Sequence, residues 1–201
     1  MIATHSGNLA RGTDRYVNHL ARSKAAAIAA GDWLQRSGAV QANSSDEEAR
    51  SVSAIVATER AVPIYDRNSG RIMDEVLLMR GGTLPTWTPL LESHSHWSLM
   101  SVLGSVLETK RSGRLARARL VFSDDEYTEP IWRKVKNGHL RAISVGGRRV
   151  RYVDIEPKES AVIAGRRWTA STKRALRVTT QWVMAEASVV VFGADIDSTI
   201  A

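Results

Sequence analysis

A serine that could act as a nucleophile, Ser144, lies in an apolar run and is followed closely by two glycines (AISVGG). A serine hydroxyl attacks a carbonyl carbon effectively only when a neighbouring base takes its proton. The two glycines would let a substrate backbone approach closely. Serines within strands are more often packing residues, so Ser144 taken alone is compatible with either interpretation.

Two histidines in the segment PLLESHSHWS could supply that base or bind a metal. If the segment is extended, Glu92, His94 and His96 share one face, and histidines arranged in this way can ligate zinc. The alternatives are a general base at His94, or polar histidines near a loop without a chemical role. His139 follows an NG pair and is interpreted as a residue just beyond a helix end.

Glu186 is an acidic residue in a strongly apolar segment (TTQWVMAEASVVV). In a regular strand it would share a face with Trp182, Met184 and Val190. Because burying an unpaired carboxylate is costly, Glu186 is expected to have a partner. An arginine could pair with it, or a histidine could donate its Nδ1–H to it, as the third group of a nucleophile–base–orienter set does. The residues alone leave both possibilities open.

From Ser51 onward the sequence predicts a mainly β domain with one or two helices. Short segments rich in β-branched residues are separated by turn signals such as DRNSG and KRSG. The segment EPIWRKVKNG has a helical apolar stripe that ends at its NG pair. The segment RVTTQWVMAEASVVVF predicts a long final strand. Many short strands at this spacing are typical of a closed barrel or a sandwich.

The first 50 residues differ from the rest of the chain in composition and in hydrophobic pattern. Residues 15–36 are rich in alanine and other good helix formers, with an imperfect apolar stripe, and predict a helix. The small polar residues that follow (SGAVQANSSDEEAR) predict a linker or a short capped turn. The predicted organisation is therefore an N-terminal helical and linker extension, 1–50, followed by one domain, 51–201.

The composition excludes several classes of protein. The chain has 201 residues and no cysteine, which excludes disulfides, thiolate catalysis and Cys-ligated zinc. Neither a membrane span nor a secretory signal core is present in the sequence, so secretion is not expected. The net charge of +7 suggests an acidic partner or a solvated basic surface. The basic runs RRVR and GRRW could contact phosphate, but they lack the aromatic spacing of a single-strand binder, so no specific nucleic-acid ligand is expected.

Taken in order, several blocks of the sequence resemble the tailed-phage prohead (capsid maturation) protease family. Residues 89–95 (PLLESHS) with residues 102–106 (VLGSV) resemble its histidine block, and residues 138–146 (GHLRAISVG) resemble its serine block. Residues 185–195 (AEASVVVFGAD) resemble its closing strand and loop, and residues 57–63 (ATERAVP) its opening strand. The resemblance covers about residues 51–197.

The resemblance implies a serine endopeptidase with a fold like the herpesvirus assemblin proteases, a closed β-barrel flanked by a few helices. Ser144 matches the family's serine, His94 its histidine and Glu186 the acidic position of its last core strand. These three are the expected nucleophile, base and orienter. Backbone N–H groups at Gly193 and Ala194, in the loop after the last strand, are candidates for the oxyanion hole.

The resemblance also implies a setting. The enzyme would act inside the immature capsid, in the host cytoplasm, on scaffold and capsid-protein segments and on its own chain, as a homo-oligomer such as a dimer and without a metal or other cofactor. Gly147 stands where the family often has an aromatic residue, which would widen the cleft, and the length of segment 154–177 predicts an inserted hairpin. The rival hypotheses are a non-catalytic β-barrel scaffold protein of the capsid interior and a zinc hydrolase that uses His94 and His96.

Overall fold

The computed structural model describes residues 33–193, which form twelve β-strands, one α-helix and two 3₁₀ turns. The elements, in chain order, are β1 (Trp33–Asp46), β2 (Ser51–Thr58), β3 (Val62–Asp66), β4 (Arg71–Leu77), a 3₁₀ turn (Met79–Gly81), β5 (Gly82–Thr83), β6 (Trp87–Glu92), a second 3₁₀ turn (Leu99–Ser101), β7 (Val102–Ser112), β8 (Leu115–Phe122), α1 (Glu129–Lys136), β9 (Ala142–Ile155), β10 (Ser160–Ile163), β11 (Arg166–Thr169) and β12 (Leu176–Val190). Within these residues no helix is long and apolar enough to cross a membrane.

A single sheet of ten strands dominates the described residues, and a separate hairpin, β10–β11, accompanies it. The strand order of the ten-stranded sheet is β3-β4-β12-β6-β7-β8-β2-β1-β9. In addition, β5 pairs with β12, and β9 pairs with β12. The mainly β prediction is therefore confirmed. The more specific expectation, a closed barrel like that of the herpesvirus assemblin proteases, stays a prediction.

The long final strand organises the sheet. β12 pairs in parallel with β4, β5 and β6 along one edge, and antiparallel with β9 along the other. Near its C-terminal end, Ser188 of β12 lies opposite Ser144 of β9, and Ala187 lies opposite Leu90 of β6. Side chains from β6, β9 and β12 can therefore meet at this end of the sheet.

Two apolar clusters stabilise this arrangement. The larger one is built on β2 and β6 to β9, together with β12 and α1, and it includes fully buried Leu90, Leu103 and Ile143. The smaller one lies under the β10–β11 hairpin, where Trp168 packs with residues such as Ile155 and Val178. Burying each large side chain contributes about 1.5–3 kcal/mol, so the larger cluster is the main support of the strands near Ser144.

The helix predicted from EPIWRKVKNG is present as α1. Trp132 and Val135 are its buried residues, and the Trp132 ring lies 5.1 Å from the Phe122 ring. The helix ends where the sequence predicts, because Gly138 adopts a positive φ of 74° and the N–H of His139 bonds back to the Lys134 carbonyl. The end of α1 therefore positions the start of β9, which begins two residues before Ser144.

Several turn and hairpin predictions are confirmed. The DRNSG turn joins β3 to β4, and its Asp66 carboxylate accepts hydrogen bonds from the backbone and the hydroxyl of Ser69. β7 and β8 form the predicted hairpin. The insertion predicted for segment 154–177 is the β10–β11 hairpin.

The linker predicted for residues 37–50 is wrong for residues 37–46, because these belong to β1 (Trp33–Asp46). This strand pairs antiparallel with β2 on one side and with β9 on the other. Backbone pairing to two neighbours decides its conformation, and the small polar composition of the segment does not reveal such partners. The last four residues of the predicted helix, 33–36, belong to this strand, and the rest of that prediction lies outside the described residues.

Candidate active site

β9 presents Ser144 on the face opposite the larger apolar cluster. Ile143 and Val145, its neighbours, are fully buried in that cluster. Because successive side chains of a strand point to opposite faces, Ser144 and Gly146 share the other face. Ser144 is only 4% exposed, so something besides the core must cover it.

β12 brings Glu186 to the same place through a β-bulge. Met184 lies opposite Gly147 and Glu186 lies opposite Gly146, so β12 carries one extra residue at this point. The bulge changes which side chains enter the core: Met184 does so before it, and Ala187 does so after it. The sequence prediction that Glu186 shares a face with Trp182 and Met184 is therefore wrong, since regular alternation does not continue through a bulge.

Gly146 makes room for the carboxylate of Glu186. A Cβ atom built on Gly146 would lie 1.8 Å from Glu186 Oε1 and 2.7 Å from Cζ2 of Trp33. Any side chain here would displace the carboxylate or the indole. Gly147 has a different reason: a Cβ there would lie 2.2 Å from the Val183 carbonyl oxygen, in the bulged strand. Gly147 thus permits close approach of two backbones, and the wider cleft expected at this position stays a prediction.

His94 lies in a tight turn immediately after β6. Ser93 and His94 have positive φ values of 46° and 59°, and the Ser95 N–H bonds to the Glu92 carbonyl at 2.8 Å. Left-handed backbone at residues other than glycine costs about 1–2 kcal/mol each, so the turn needs support. The Ser93 N–H bonds to the backbone of β12 at Val189, and the His94 N–H bonds to the Ser188 hydroxyl at 3.0 Å. The strained turn is therefore held against β12, with its imidazole over Ser144.

The three residues singled out by the sequence meet in one chain of hydrogen bonds. His94 Nε2 lies 2.8 Å from Ser144 Oγ, and His94 Nδ1 lies 2.7 Å from Glu186 Oε1. The predicted contact between Ser144 and His94 is present, and Glu186 is the group on the far side of the imidazole. This is the order of contacts that a serine nucleophile, a general base and its orienting carboxylate require.

Glu186 is shielded from water by its neighbours. It is 1% exposed, and Trp33 of β1 lies against the same glycine that the carboxylate covers. The Trp33 ring also makes an edge contact with His96, with ring centroids 5.1 Å apart. Trp33 was not identified from the sequence, because it falls in the segment interpreted as an extension.

The zinc arrangement at Glu92, His94 and His96 is not what the structure contains. Both ring nitrogens of His94 already face Glu186 and Ser144, and His96 packs against Trp33. Glu92 accepts a short hydrogen bond from the Tyr127 hydroxyl, which raises the pKa of that phenol. Among residues 33–193, no group of three His, Asp or Glu side chains is placed to hold a metal ion.

A fourth polar residue, Ser188, was missed as a functional candidate. Its hydroxyl donates to Glu186 Oε2 at 2.6 Å and accepts from the His94 N–H at 3.0 Å. Its position two residues after Glu186 could have identified it, since residues i and i+2 of a strand share a face and their side chains are neighbours. The serine is completely buried.

The remaining candidates lie away from this chain of hydrogen bonds. His139 is exposed just beyond α1, and its N–H serves the helix end, as the sequence predicted. Gly193 lies three residues beyond the end of β12 and is half-buried. No hydrogen bond joins Gly193 to Ser144 in the part of the chain that the structure describes, and Ala194 lies outside that part. Both oxyanion-hole assignments stay predictions.

Comparison of the chain with models of known protein families, with curated proteins and with solved structures found no match. The resemblance to the prohead proteases therefore rests on the sequence blocks themselves, and the chemistry rests on the geometry of Ser144, His94, Glu186 and Ser188.

Proposed function

We propose that this chain is a serine endopeptidase of the tailed-phage prohead maturation type. The observation that carries the proposal is the unbroken chain of hydrogen bonds from Glu186 through His94 to Ser144, with distances of 2.7 and 2.8 Å. Groups that could act as nucleophile, base and orienter lie in the required order, and the carboxylate is buried. Such an arrangement suits acyl transfer, because the base is held between its orienting carboxylate and the nucleophile.

The proposed reaction begins when Ser144 Oγ attacks the carbonyl carbon of a peptide bond. His94 Nε2 takes the hydroxyl proton as the bond forms, and Glu186 stabilises the imidazolium through Nδ1–H. The tetrahedral intermediate collapses, the C–N bond breaks, and His94 gives its proton to the leaving amine. Water then attacks the acyl-enzyme with His94 again as base, which frees the new carboxylate and restores Ser144. Backbone N–H donors stabilise the oxyanion in both halves, with Gly193 and Ala194 as the proposed donors.

The biological setting belongs to the proposal as a whole. The substrates are segments of the scaffold and of the major capsid protein, and of this chain itself, inside the immature capsid. The assemblin-like fold, with its closed sheet, is part of the same proposal. What supports the closure is that β9 pairs with both β1 and β12 and that the sequence of pairings between β12 and β1 runs through β6, β7, β8 and β2.

The experiment tests the chemistry and the setting separately. A fluorophosphonate probe should label the wild-type chain at Ser144, as identified by mass spectrometry, because the probe reacts with activated serines. Incubation with the scaffold and capsid proteins of the same phage should give discrete cleavage products. Ser144→Ala should retain the wild-type melting temperature and lose roughly four to six orders of magnitude in cleavage rate. Labelling at a different serine, or cleavage that persists in Ser144→Ala, would contradict the proposal.

A further inference from the structure

Ser188 lies at the centre of the polar cluster and opposite Ser144 in the β9–β12 pairing, although no hydrogen bond joins the two hydroxyls in the described part of the chain. It is completely buried. Its hydroxyl bridges the backbone N–H of His94, at 3.0 Å, and the outer carboxylate oxygen of Glu186, at 2.6 Å. One side chain therefore holds both the turn that carries the base and the carboxylate that orients it.

The directions of the two hydrogen bonds at the Ser188 hydroxyl follow from the backbone N–H of His94. A backbone N–H can only donate, so Ser188 Oγ must accept there, and its single hydrogen is left for Glu186 Oε2. Glu186 therefore accepts at Oε2 through an unprotonated oxygen. The proposed reaction requires an ionised carboxylate and a neutral imidazole; in that arrangement Glu186 Oε1 accepts from His94 Nδ1–H, and the lone pair at Nε2 lies towards Ser144.

We infer that Ser188 is a positioning residue that sets the proton arrangement of the cluster and so keeps His94 ready to act as a base. The inference rests on the proposed function, because it concerns the same reaction. The titratable groups in contact with this arrangement are Glu186 and His94. His96 lies two residues farther along, with its ring against Trp33.

The same strand contains a natural control. Thr179 of β12 is also completely buried, and its hydroxyl lies 2.5 Å from Oε1 of a second buried carboxylate, Glu75. That carboxylate is paired with Arg149, a permanently charged residue that takes no part in the proposed reaction. Thr179→Val therefore removes an equivalent hydroxyl from an equivalent carboxylate without touching the candidate active site.

The test measures the rate at which a fluorophosphonate probe labels Ser144 from pH 5 to pH 9, in the full chain. Ser188→Ala should slow labelling by roughly 10–100-fold, since a hydrogen bond to a charged group is lost. The acidic limb of the pH profile should move to higher pH, because a carboxylate without its donor holds the imidazolium more tightly. Ser188→Thr, which restores the hydroxyl, should return the rate to within a few-fold of wild type. Thr179→Val should lower the melting temperature and leave the rate and the pH profile unchanged.

The possible results are distinct. A wild-type chain that is not labelled at Ser144 overturns the proposed function and this inference with it. Labelling of the wild type together with an unchanged rate and pH profile in Ser188→Ala overturns this inference alone. Equal slowing in Ser188→Ala and Thr179→Val would mean general loosening and would also overturn it. If Ser188→Ala does not fold, Ser188→Cys, which is similar in volume but a weaker donor, should show the same direction of change.

Discussion

Two buried carboxylates, Glu75 of β4 and Glu186 of β12, each face a hydroxyl of β12 and have almost the same local chemistry. Glu75 receives a hydroxyl from Thr179, and Glu186 receives one from Ser188. Each also faces a nitrogen group from another strand or turn. Glu75 is held by both Nε and Nη2 of Arg149, at 2.7 and 3.0 Å, whereas Glu186 is held by a single imidazole nitrogen of His94.

The difference lies in whether the partner can release its proton. A guanidinium stays charged at all relevant pH values, so Glu75 and Arg149 form a permanent pair, and Arg149 also donates to the Trp33 carbonyl. An imidazole can be neutral or charged near neutral pH, and its second nitrogen remains available to Ser144. Similar surroundings thus give a structural element in one place and a potential catalytic one in the other.

Replacing the carboxylate beside the imidazole should have the larger effect on reaction rate. Glu186→Gln keeps the shape of the side chain but removes the charge that stabilises the imidazolium and its tautomer. We expect probe labelling and peptide cleavage to fall by about four orders of magnitude, as loss of an orienting carboxylate does in other triads. Thermal unfolding should show a native fold. A decrease of less than about tenfold would contradict the orienting role.

Replacing the carboxylate beside the guanidinium should mainly affect stability. Glu75→Gln leaves the Arg149 charge buried and uncompensated, which we expect to cost about 3–5 kcal/mol in free energy of unfolding. The rate per folded molecule should stay within a few-fold of wild type. Glu156→Gln is the matched control, because its pair with Arg71 is about half exposed and should contribute less than about 1 kcal/mol. Equal losses of free energy of unfolding in Glu75→Gln and Glu156→Gln, measured by urea denaturation, would contradict the special importance of the buried pair.

Asp66 forms another permanent pair, with Arg177, and predicts that the stability of the fold depends on pH in the acidic range. Burial acts to raise its pKa, but hydrogen bonds from Ser69 and the charge of Arg177 outweigh burial and hold the pKa of Asp66 below its ordinary value. Its contribution to stability is therefore fully present above about pH 3.9 and is lost as the pH falls through the lowered pKa. Asp66→Asn should be less stable at neutral pH and should lose less stability between pH 4 and pH 2. Parallel curves for variant and wild type would contradict this.

The sequence predicted the elements well where the signal was local. The NG pair after α1, the DRNSG turn and the β10–β11 insertion all depend on residues close together in the chain. The prediction for β1 was wrong because its conformation depends on two partner strands that are distant in sequence. The contact between His94 and Ser144 followed from the family blocks, which carry information that composition lacks.

The surroundings of the candidate site were less accessible to sequence reasoning. The bulge at Ala185 has no glycine or proline to announce it, and the turn at Ser93 and His94 lacks the Gly or Asn that a turn with two positive φ values usually has. Trp33 and Ser188 act through contacts that this bulge and β1 create. The identity of the three central residues could therefore be predicted, whereas the residues that hold and shield them could not.

The smallest effect on rate is expected at His139, the other histidine close to the serine in sequence. Its N–H bonds to the Lys134 carbonyl at the end of α1, and its side chain is exposed. Within the described residues, the imidazole of His94 already has Glu186 as its partner, so a second histidine has no place in the chain of hydrogen bonds. His139→Ala should therefore change the labelling rate by less than about threefold and its pH profile not at all, since an exposed substitution away from the site is nearly neutral. A loss at His139→Ala that exceeds the loss at Glu186→Gln in the same assay would point to a Ser-His-His arrangement and would reverse the assignment of the orienting residue.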